Sequence, residues 1–296
     1  MKGSKFKIAT NTLSKVIITI CSTLLSFQTF SAEPVPAREN KLVIGAGAML
    51  HSMPYSDIDS ITIPVPLFDI QYGPIFAYNY IDEPVIGVEL FRHKRVMLAL
   101  GLIYGNQFLD VSEVRKNKQW LYYGIEDRDK ATEAALIFHF YSKVGLVDIT
   151  VVRDVSNTYD DFRSSISWSR PFPDTGNWTI VPRMYGRYYS VKYNDYYYGV
   201  SQKEMDAAED IHNNQGIQIS GIRVTFDDYK RIWRPAYNAG NAGQFGVDLS
   251  IDYHFTEHFK AQGYIGMEQL AGQVTSSPLI NDADIWKVSL GIAADF

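Results

Sequence analysis

The stretch FGVDLSIDYHFTEHFKAQGYIGMEQL, residues 245–270, contains two runs in which apolar and polar side chains alternate. The first run, 245–255, has an apolar residue at every second position, and the second run, 259–270, largely repeats the pattern. A period of two residues indicates β-strands, because successive side chains of a strand point to opposite faces. The three residues TEH at 256–258 form a tight connection, so the stretch predicts a β-hairpin.

Similar alternation recurs along the chain and predicts about twelve strands in an all-β fold. Many of these segments are ten or eleven residues long, which matches the tilted span of a bilayer, whereas strands of soluble β-sandwiches are commonly nearer six. The predicted strands are 41–50, 61–71, 74–80, 84–91, 95–106, 131–141, 144–154, 162–171, 177–188, 245–255, 259–270 and 285–296.

The connections between these strands alternate in length. Short turns followed by long polar loops are typical of an outer-membrane β-barrel, with turns in the periplasm and loops outside the cell. A soluble β-sandwich is the alternative, but its loops need not sort by length. The short connections are 92–94, 142–143, 172–176 and 256–258, and the long ones are 107–130, 189–244 and 271–284. The sequence therefore predicts an antiparallel transmembrane barrel at 41–296, with an enlarged loop at 189–244.

The last predicted strand, WKVSLGIAADF at 286–296, shows what the two faces contact. Its apolar face is expected to touch outer-membrane lipid, with Trp286 and Phe296 marking the two interfaces, and its pairing with 41–50 closes the wall. The polar faces of the last strands are expected to line the lumen. The lumen candidates are Asp248, Asp252, His254, Lys260, Glu268 and Lys287.

The amino terminus has the pattern of a secretory signal peptide. Four lysines and no acidic residue precede the mostly apolar stretch 16–27, and the small residues of QTFSAEP follow it. We place cleavage after residue 31 or 32, which gives a signal peptide at 1–32 and a periplasmic segment at 33–40. Lipid attachment at Cys21 is a weaker alternative, because the large Ile20 precedes it. Cleavage leaves a chain without cysteine, which excludes disulfides and thiol catalysis.

The charge of the predicted mature chain excludes one class of partner. Without the four leader lysines, 24 basic residues face 33 acidic ones. A net charge near −9 argues against nucleic acid, whose recognition needs a basic surface.

Enzymatic motifs are absent from the sequence. We find no G-x-S-x-G, no phosphate-binding glycine loop and no H-E-x-x-H, so we predict no catalytic residue, no cofactor and no metal. Two alternatives remain open. The pairs Asp160–Asp161 and Asp227–Asp228 could act beside a histidine, and the carboxylates within 125–130 and 281–284 could hold Ca²⁺, although ordinary solvated loop charges explain both.

A tyrosine cluster lies in YNDYYYGVS, residues 193–201. Tyr193, Tyr196, Tyr197 and Tyr198 could form an exposed patch for a partner, since tyrosine is enriched at interfaces. We favour the other interpretation, an aromatic girdle where the strand at 177–188 leaves the membrane.

Several segments resemble the MipA/OmpV family of outer-membrane proteins, from about residue 41 to the end. They are PVPLFDIQYGPIF (64–76), NDYYYGVS (194–201), PAYNAG (235–240) and the run 247–280, with the closing Phe296. The resemblance implies a barrel without known catalytic residues. Some members are described as scaffolds that join a murein-degrading lytic transglycosylase to a penicillin-binding protein, and others as surface adhesins. The sequence departs from the family at 202–234, where the strand-like run 216–226 predicts an extra hairpin above the barrel.

The leading functional hypothesis is therefore a non-enzymatic scaffold for murein-remodelling enzymes. Its contact surface is expected at 33–40 and the short turns. A narrow channel for small solutes and a surface binding protein acting through 189–244 are the alternatives. The terminal Phe296 resembles the signal by which the barrel-assembly machinery recognises its clients.

Overall fold

The structure of the chain is a computed structural model that describes residues 39–58, 60–79, 83–113, 120–173, 175–219 and 221–296. The predicted signal peptide and residues 33–38 lie outside this part. The strands are β1 Lys41–His51, β2 Ile61–Tyr72, β3 Ile75–Asn79, β4 Val85–His93, β5 Val96–Tyr104, β6 Thr132–Ser142, β7 Gly145–Asp154, β8 Phe162–Ser169, β9 Trp178–Tyr189, β10 Ile217–Ile219, β11 Ile222–Val224, β12 Ala242–His254, β13 Phe259–Gly272 and β14 Asp284–Asp295.

Twelve of these strands close into one antiparallel barrel, which confirms the predicted fold. The barrel closes where β1 pairs with β14, with Val43 opposite Asp295 and His51 opposite Lys287. Consecutive strands are neighbours throughout, except that β9 pairs with β12, because β10 and β11 form a separate hairpin between them. The start of β1 and the finish of β14 therefore lie on the side of the barrel that carries the short turns. The barrel rule assigns this side to the periplasm.

The segment between β9 and β12 differs from the predicted polar loop. The hairpin expected at 216–226 is present as β10 and β11, but helices occupy much of the rest. Helix α1 covers Val191–Tyr198 and helix α2 covers Gln202–Gln215, and a helical turn follows at 226–233. A serine precedes each of these two helices and caps its free backbone N–H groups. These serines are sequence signals for helices that the prediction of a polar loop missed.

The outward surface of the barrel is apolar. On β14, Leu290 and Ile292 are 70% and 63% exposed, whereas the alternate residue Ala293 is 1% exposed. Aromatic side chains are exposed towards both ends, as expected for the two membrane interfaces; they are Tyr72, Phe91, Phe172, Trp178, Phe255, Phe259 and Phe296 at the periplasmic end and Tyr104, Phe162, Tyr188, Phe245 and Trp286 at the other. Among the described helices, none is long and apolar enough to cross a membrane.

The largest apolar cluster lies beyond the wall, among the extracellular loops. We call this packed assembly the cap. It comprises the described residues of the loops 52–60, 105–131, 155–161, 190–241 and 273–283. The cap therefore has a hydrophobic core of its own, whereas much of the barrel interior is polar.

Candidate functional site

The tyrosine cluster forms the centre of the cap. Helix α1 begins after Ser190, whose Oγ accepts the N–H of Tyr193. The helical period then turns Tyr193 and Tyr197 to the same side, and these residues are 5% and 1% exposed, with Tyr198 at 2%. Both sequence interpretations of these three residues are therefore wrong, because they are neither an exposed patch nor a lipid-facing girdle. Tyr196 is only half-buried.

Aromatic stacking and hydrogen bonds fix the cluster. Tyr193 stacks on Tyr189 with ring centroids 4.5 Å apart, and Tyr197 lies 4.7 Å from Tyr193. The phenol of Tyr197 donates to the backbone O of Asp129 at 3.0 Å, and the phenol of Tyr55 donates to the backbone O of Tyr197 at 3.1 Å. Burial raises the pKa of Tyr197 above the usual phenol value, so this hydroxyl stays a neutral donor.

A buried ion pair fastens α2 to the loop between β5 and β6. Arg128 donates to Glu204 at 2.5 Å, and both side chains are less than a tenth exposed. Glu204 also completes the capping box of α2 with Ser201. Burial alone raises the pKa of Glu204, but Arg128 and the hydrogen bonds from Ser201 outweigh it, so the pKa lies below its usual range. Gly124 permits the close approach, since a Cβ there would lie 2.4 Å from the backbone O of Glu204.

Beneath the cap, buried charges fill the extracellular half of the lumen. Arg163 donates to Glu133 through Nε at 2.8 Å and Nη2 at 2.5 Å, and its Nη2 lies 3.1 Å from Glu83. On the other side of the lumen, Lys287 lies 3.1 Å from Glu268, with both side chains 3% exposed. Paired and hydrogen-bonded charges of this kind can stay ionised inside a protein. These pairs therefore occupy the lumen directly beneath the cap.

The ion pairs of the periplasmic half are more accessible to water. The side chains of Lys260 and Asp252 are 12% and 19% exposed and pair at 2.8 Å. Arg183 is 31% exposed, although its partner Asp248 is only 2% exposed. These pairs of the periplasmic half are therefore more exposed than the pairs beneath the cap.

The structure places all six predicted lumen residues on the inward face and pairs several of them. Glu268 meets Lys287, and Asp252 meets Lys260, whereas His254 lies 3.4 Å from the hydroxyl of Thr179. Sequence reasoning missed the partners on other strands, which include Arg183, Arg187, Arg163 and Glu133. The inward spacing of Arg183, Tyr185 and Arg187 on β9 was a readable signal for some of them.

Several acidic residues that the sequence offered for catalysis or Ca²⁺ binding make structural contacts. Asp160 pairs with Lys192 at 2.8 Å, and Asp228 pairs with Arg231 at 2.8 Å. Within 125–130, Asp127 accepts the backbone N–H of Val111 at 2.8 Å. In the part of the chain that the structure describes, no three His, Cys, Asp or Glu side chains are grouped to hold a metal.

Comparison with known proteins identifies related chains. The sequence profile of the family described as "MltA-interacting protein MipA" matches residues 44–296. The MltA-interacting protein of Escherichia coli K12 is 22% identical over 258 residues, which cover 87% of this chain and 91% of that protein. The putative outer membrane protein YiaT of the same organism is 22% identical over 260 residues, covering 88% and 93%. A solved outer-membrane channel of Pseudomonas putida F1 is 11% identical with a TM-score of 0.36, covering 92% of this chain and all of that one.

Proposed function

The chain belongs to the family of MltA-interacting protein MipA and is an outer-membrane β-barrel, and from this premise we propose that it is a non-enzymatic scaffold for murein-remodelling enzymes. The name of the family and of its relatives supports a lytic transglycosylase of the MltA type as one partner. A penicillin-binding protein is the second partner that we propose, since a scaffold joins murein synthesis to murein degradation.

The family match over residues 44–296 is the observation that carries this proposal. The cap and buried ion pairs occupy the extracellular end, and the short turns lie at the opposite end, which the barrel rule assigns to the periplasm. Short turns give little surface individually, so a partner must contact several turns together. We propose that these turns and segment 33–40 form the contact surface.

Basic side chains on part of this surface favour one kind of partner. The turn between β4 and β5 exposes His93, Lys94 and Arg95, and the turn between β6 and β7 exposes Lys143. These turns are adjacent because β5 pairs with β6. Basic side chains on neighbouring turns favour a partner with an acidic face, because complementary charges steer and orient association.

A pull-down from detergent extract tests the proposal. The wild-type protein is expected to recover a lytic transglycosylase and a penicillin-binding protein, and the double variant K94E/R95E is expected to recover less of both. The matched control is Lys203→Glu, a charge reversal on the cap with a side chain that is 80% exposed. Recovery no greater than that of an unrelated barrel would overturn the scaffold, and equal recovery by K94E/R95E would exclude this turn from the contact surface.

The channel alternative receives less support from the site. Steady conduction requires passage through the cap and past Glu133 and Glu268, whose side chains are 1% and 3% exposed. A binding role for the outer face of the cap is the other alternative. It predicts that removal of 202–234 abolishes ligand or host-cell binding while the barrel stays folded.

A further inference from the structure

A pocket of about 260 Å³ lies at the extracellular rim of the barrel, where β5 ends and the chain later returns into β6. Two aromatic rings, three carboxylates and one ammonium group line it; they belong to Tyr104, Phe108, Asp110, Asp127, Asp129 and Lys130. A concave surface that combines apolar area with a few polar groups is typical of a small-molecule site. The volume is slightly below the usual range for such sites, about 300–1,000 Å³, so the pocket suits one ring-sized group.

A short antiparallel bridge brings the lining residues together. The backbone N–H of Leu109 donates to the O of Arg128 at 3.0 Å, and the N–H of Arg128 donates to the O of Leu109 at 2.8 Å. The side chains of these two residues are buried in the cap. Neighbouring residues of paired extended segments point to the opposite side, so the residues on either side of the bridge lie together at the pocket. They are Phe108 and Asp110 on one segment and Asp127 and Asp129 on the other.

The carboxylates of the pocket keep acceptor oxygens available. Asp110 accepts the N–H of Ser112 at 2.9 Å, and Asp127 accepts the N–H of Val111 at 2.8 Å, in both cases through Oδ1. Among the described residues, nothing donates to the Oδ2 atoms of these two side chains or to the carboxylate of Asp129. Asp110 and Asp127 also stand opposite each other beside the bridge, where like charges are unfavourable. Hydrogen-bond donors on a ligand are therefore stabilising here.

Lys130 and the two rings decide which kind of ligand fits. The ammonium of Lys130 lies 4.9 Å from the ring centroid of Phe108 and 5.8 Å from that of Tyr104, which is a cation–π arrangement. The protein's own cation thus takes the position over the rings that a cationic ligand would need. An anionic ligand would meet three carboxylates, and across the described ranges no three acidic or histidine side chains are grouped to hold a metal ion.

A neutral ligand with several hydroxyl groups satisfies all of these side chains. Its hydroxyls donate to the free oxygens of Asp127 and Asp129, and they accept from the ammonium of Lys130. Its C–H groups pack against the remaining ring surface of Phe108 and Tyr104, which supplies apolar contact area. A sugar ring has both of these properties and the size of a single ring.

The position of the pocket adds a contact with lipid. Tyr104 is exposed on the outer surface of the barrel, and Leu102 and Leu100 continue the same outward row of β5 towards the periplasm. This row faces the acyl chains of the outer leaflet, whereas the pocket lies just beyond its extracellular end. A lipid whose acyl chains lie along β5 therefore brings its headgroup to the pocket.

We propose that the pocket binds one sugar ring in the headgroup of an outer-leaflet glycolipid. The sugar donates to Asp127 and Asp129, and the acyl chains run along the outward row of β5. The site belongs to the loop between β5 and β6, so it is independent of the scaffold function, which uses the periplasmic turns. It also lies outside the insert at 202–234.

Binding measurements in nanodiscs test the site. In one arm, the full-length protein in phospholipid nanodiscs is titrated calorimetrically with the oligosaccharide released from lipopolysaccharide by deacylation. In the other arm, native mass spectrometry counts the lipopolysaccharide molecules that stay bound when the nanodiscs contain this glycolipid. We expect retained lipopolysaccharide, with weaker and saturable binding of the oligosaccharide. Binding of the oligosaccharide without retained lipopolysaccharide would overturn the glycolipid as the source of the sugar, and binding of neither would overturn the site.

One variant and a matched control tie the binding to the pocket. Asp129→Ala removes a carboxylate without a hydrogen-bond donor in the described part of the chain, and it should weaken retention about tenfold. Glu126→Ala removes an exposed carboxylate from the other side of the same segment, where Glu126 pairs with Lys203, and it should leave retention unchanged. A band shift on heating before electrophoresis verifies that each barrel is folded. Equal retention in wild-type and Asp129→Ala, or an equal loss in Glu126→Ala, would overturn the proposal. Displacement of the oligosaccharide by spermidine would assign the pocket to a cation instead.

Discussion

Arg128 and Glu204 form a buried ion pair 2.5 Å long between residues that lie 76 positions apart in the chain. The pair joins the loop between β5 and β6 to the first turn of α2. Neither residue lies in the barrel wall, so the strength of this contact governs the cap separately from the barrel.

Substitution of Glu204 by alanine should release α2 from the cap. The change leaves the guanidinium of Arg128 buried without its partner, which typically costs about 3–5 kcal/mol. We expect the amides of α2 to lose hydrogen-exchange protection while the barrel keeps its shift on heating. Glu209→Ala, an exposed position on the same helix, is the control. Unchanged protection in Glu204→Ala would show that packing alone holds α2.

Acid should weaken the same contact. Because the pKa of Glu204 is lower in the folded cap than in the unfolded chain, its contribution to stability is present above the unfolded value and is lost as pH falls through the folded value. We therefore expect α2 protection to decline below about pH 4.3, the usual glutamate pKa. Glu204→Gln cannot titrate at this position and should lack that part of the decline. An identical pH profile in the two proteins would contradict the assignment.

The aromatic core of the cap should depend more on packing than on its hydrogen bonds. Tyr197→Phe removes the donor to the backbone O of Asp129 and is expected to cost about 1 kcal/mol. Tyr197→Ala also leaves a cavity and should cost about 3–5 kcal/mol. Hydrogen exchange of α1 measures both effects, with Tyr72→Ala, at the exposed periplasmic end of β2, as control. Equal losses in the two Tyr197 variants would place the stability in the hydrogen bond.

The packed cap and the buried ion pairs beneath it predict a silent barrel in planar bilayers. Wild-type protein should give no steady conductance, and deletion of 202–234 should leave it closed, because the Arg163–Glu133 layer lies below the cap. Adding Arg163→Ala to the deletion is expected to admit small ions. Reproducible single-channel steps from the wild-type protein would restore the channel hypothesis.

Deletion of Phe296 should impair assembly. Its side chain is 77% exposed, and its backbone N–H donates to the O of Leu42 at 3.0 Å, beside the closing strand pair. If the residue is the recognition signal for the assembly machinery, the deletion should reduce the amount of heat-modifiable protein in the outer membrane. Phe259→Ala, an exposed aromatic at the same end, is the control. Equal insertion with and without Phe296 would refute the role.

The barrel itself could be predicted closely from the sequence. Alternation identifies a strand and its two faces from neighbouring residues, so the inward direction of Asp248 and Lys287 followed from period alone. The girdle interpretation of Tyr193 and Tyr197 was wrong, because the segment after the strand at 177–188 forms helix α1 and turns these side chains into the cap. The capping serines at 190 and 201 were the local signal for helices, but the burial of these tyrosines depends on loops far away in the chain.

The sequence by itself determined the strands, the lipid-facing surface and the pairing of the two ends of the barrel, because strand periodicity is a property of adjacent residues. Only the tertiary structure decided which charges meet and how the loops pack together at the extracellular end. Register and loop packing join residues far apart in the chain, and no local pattern encodes that choice.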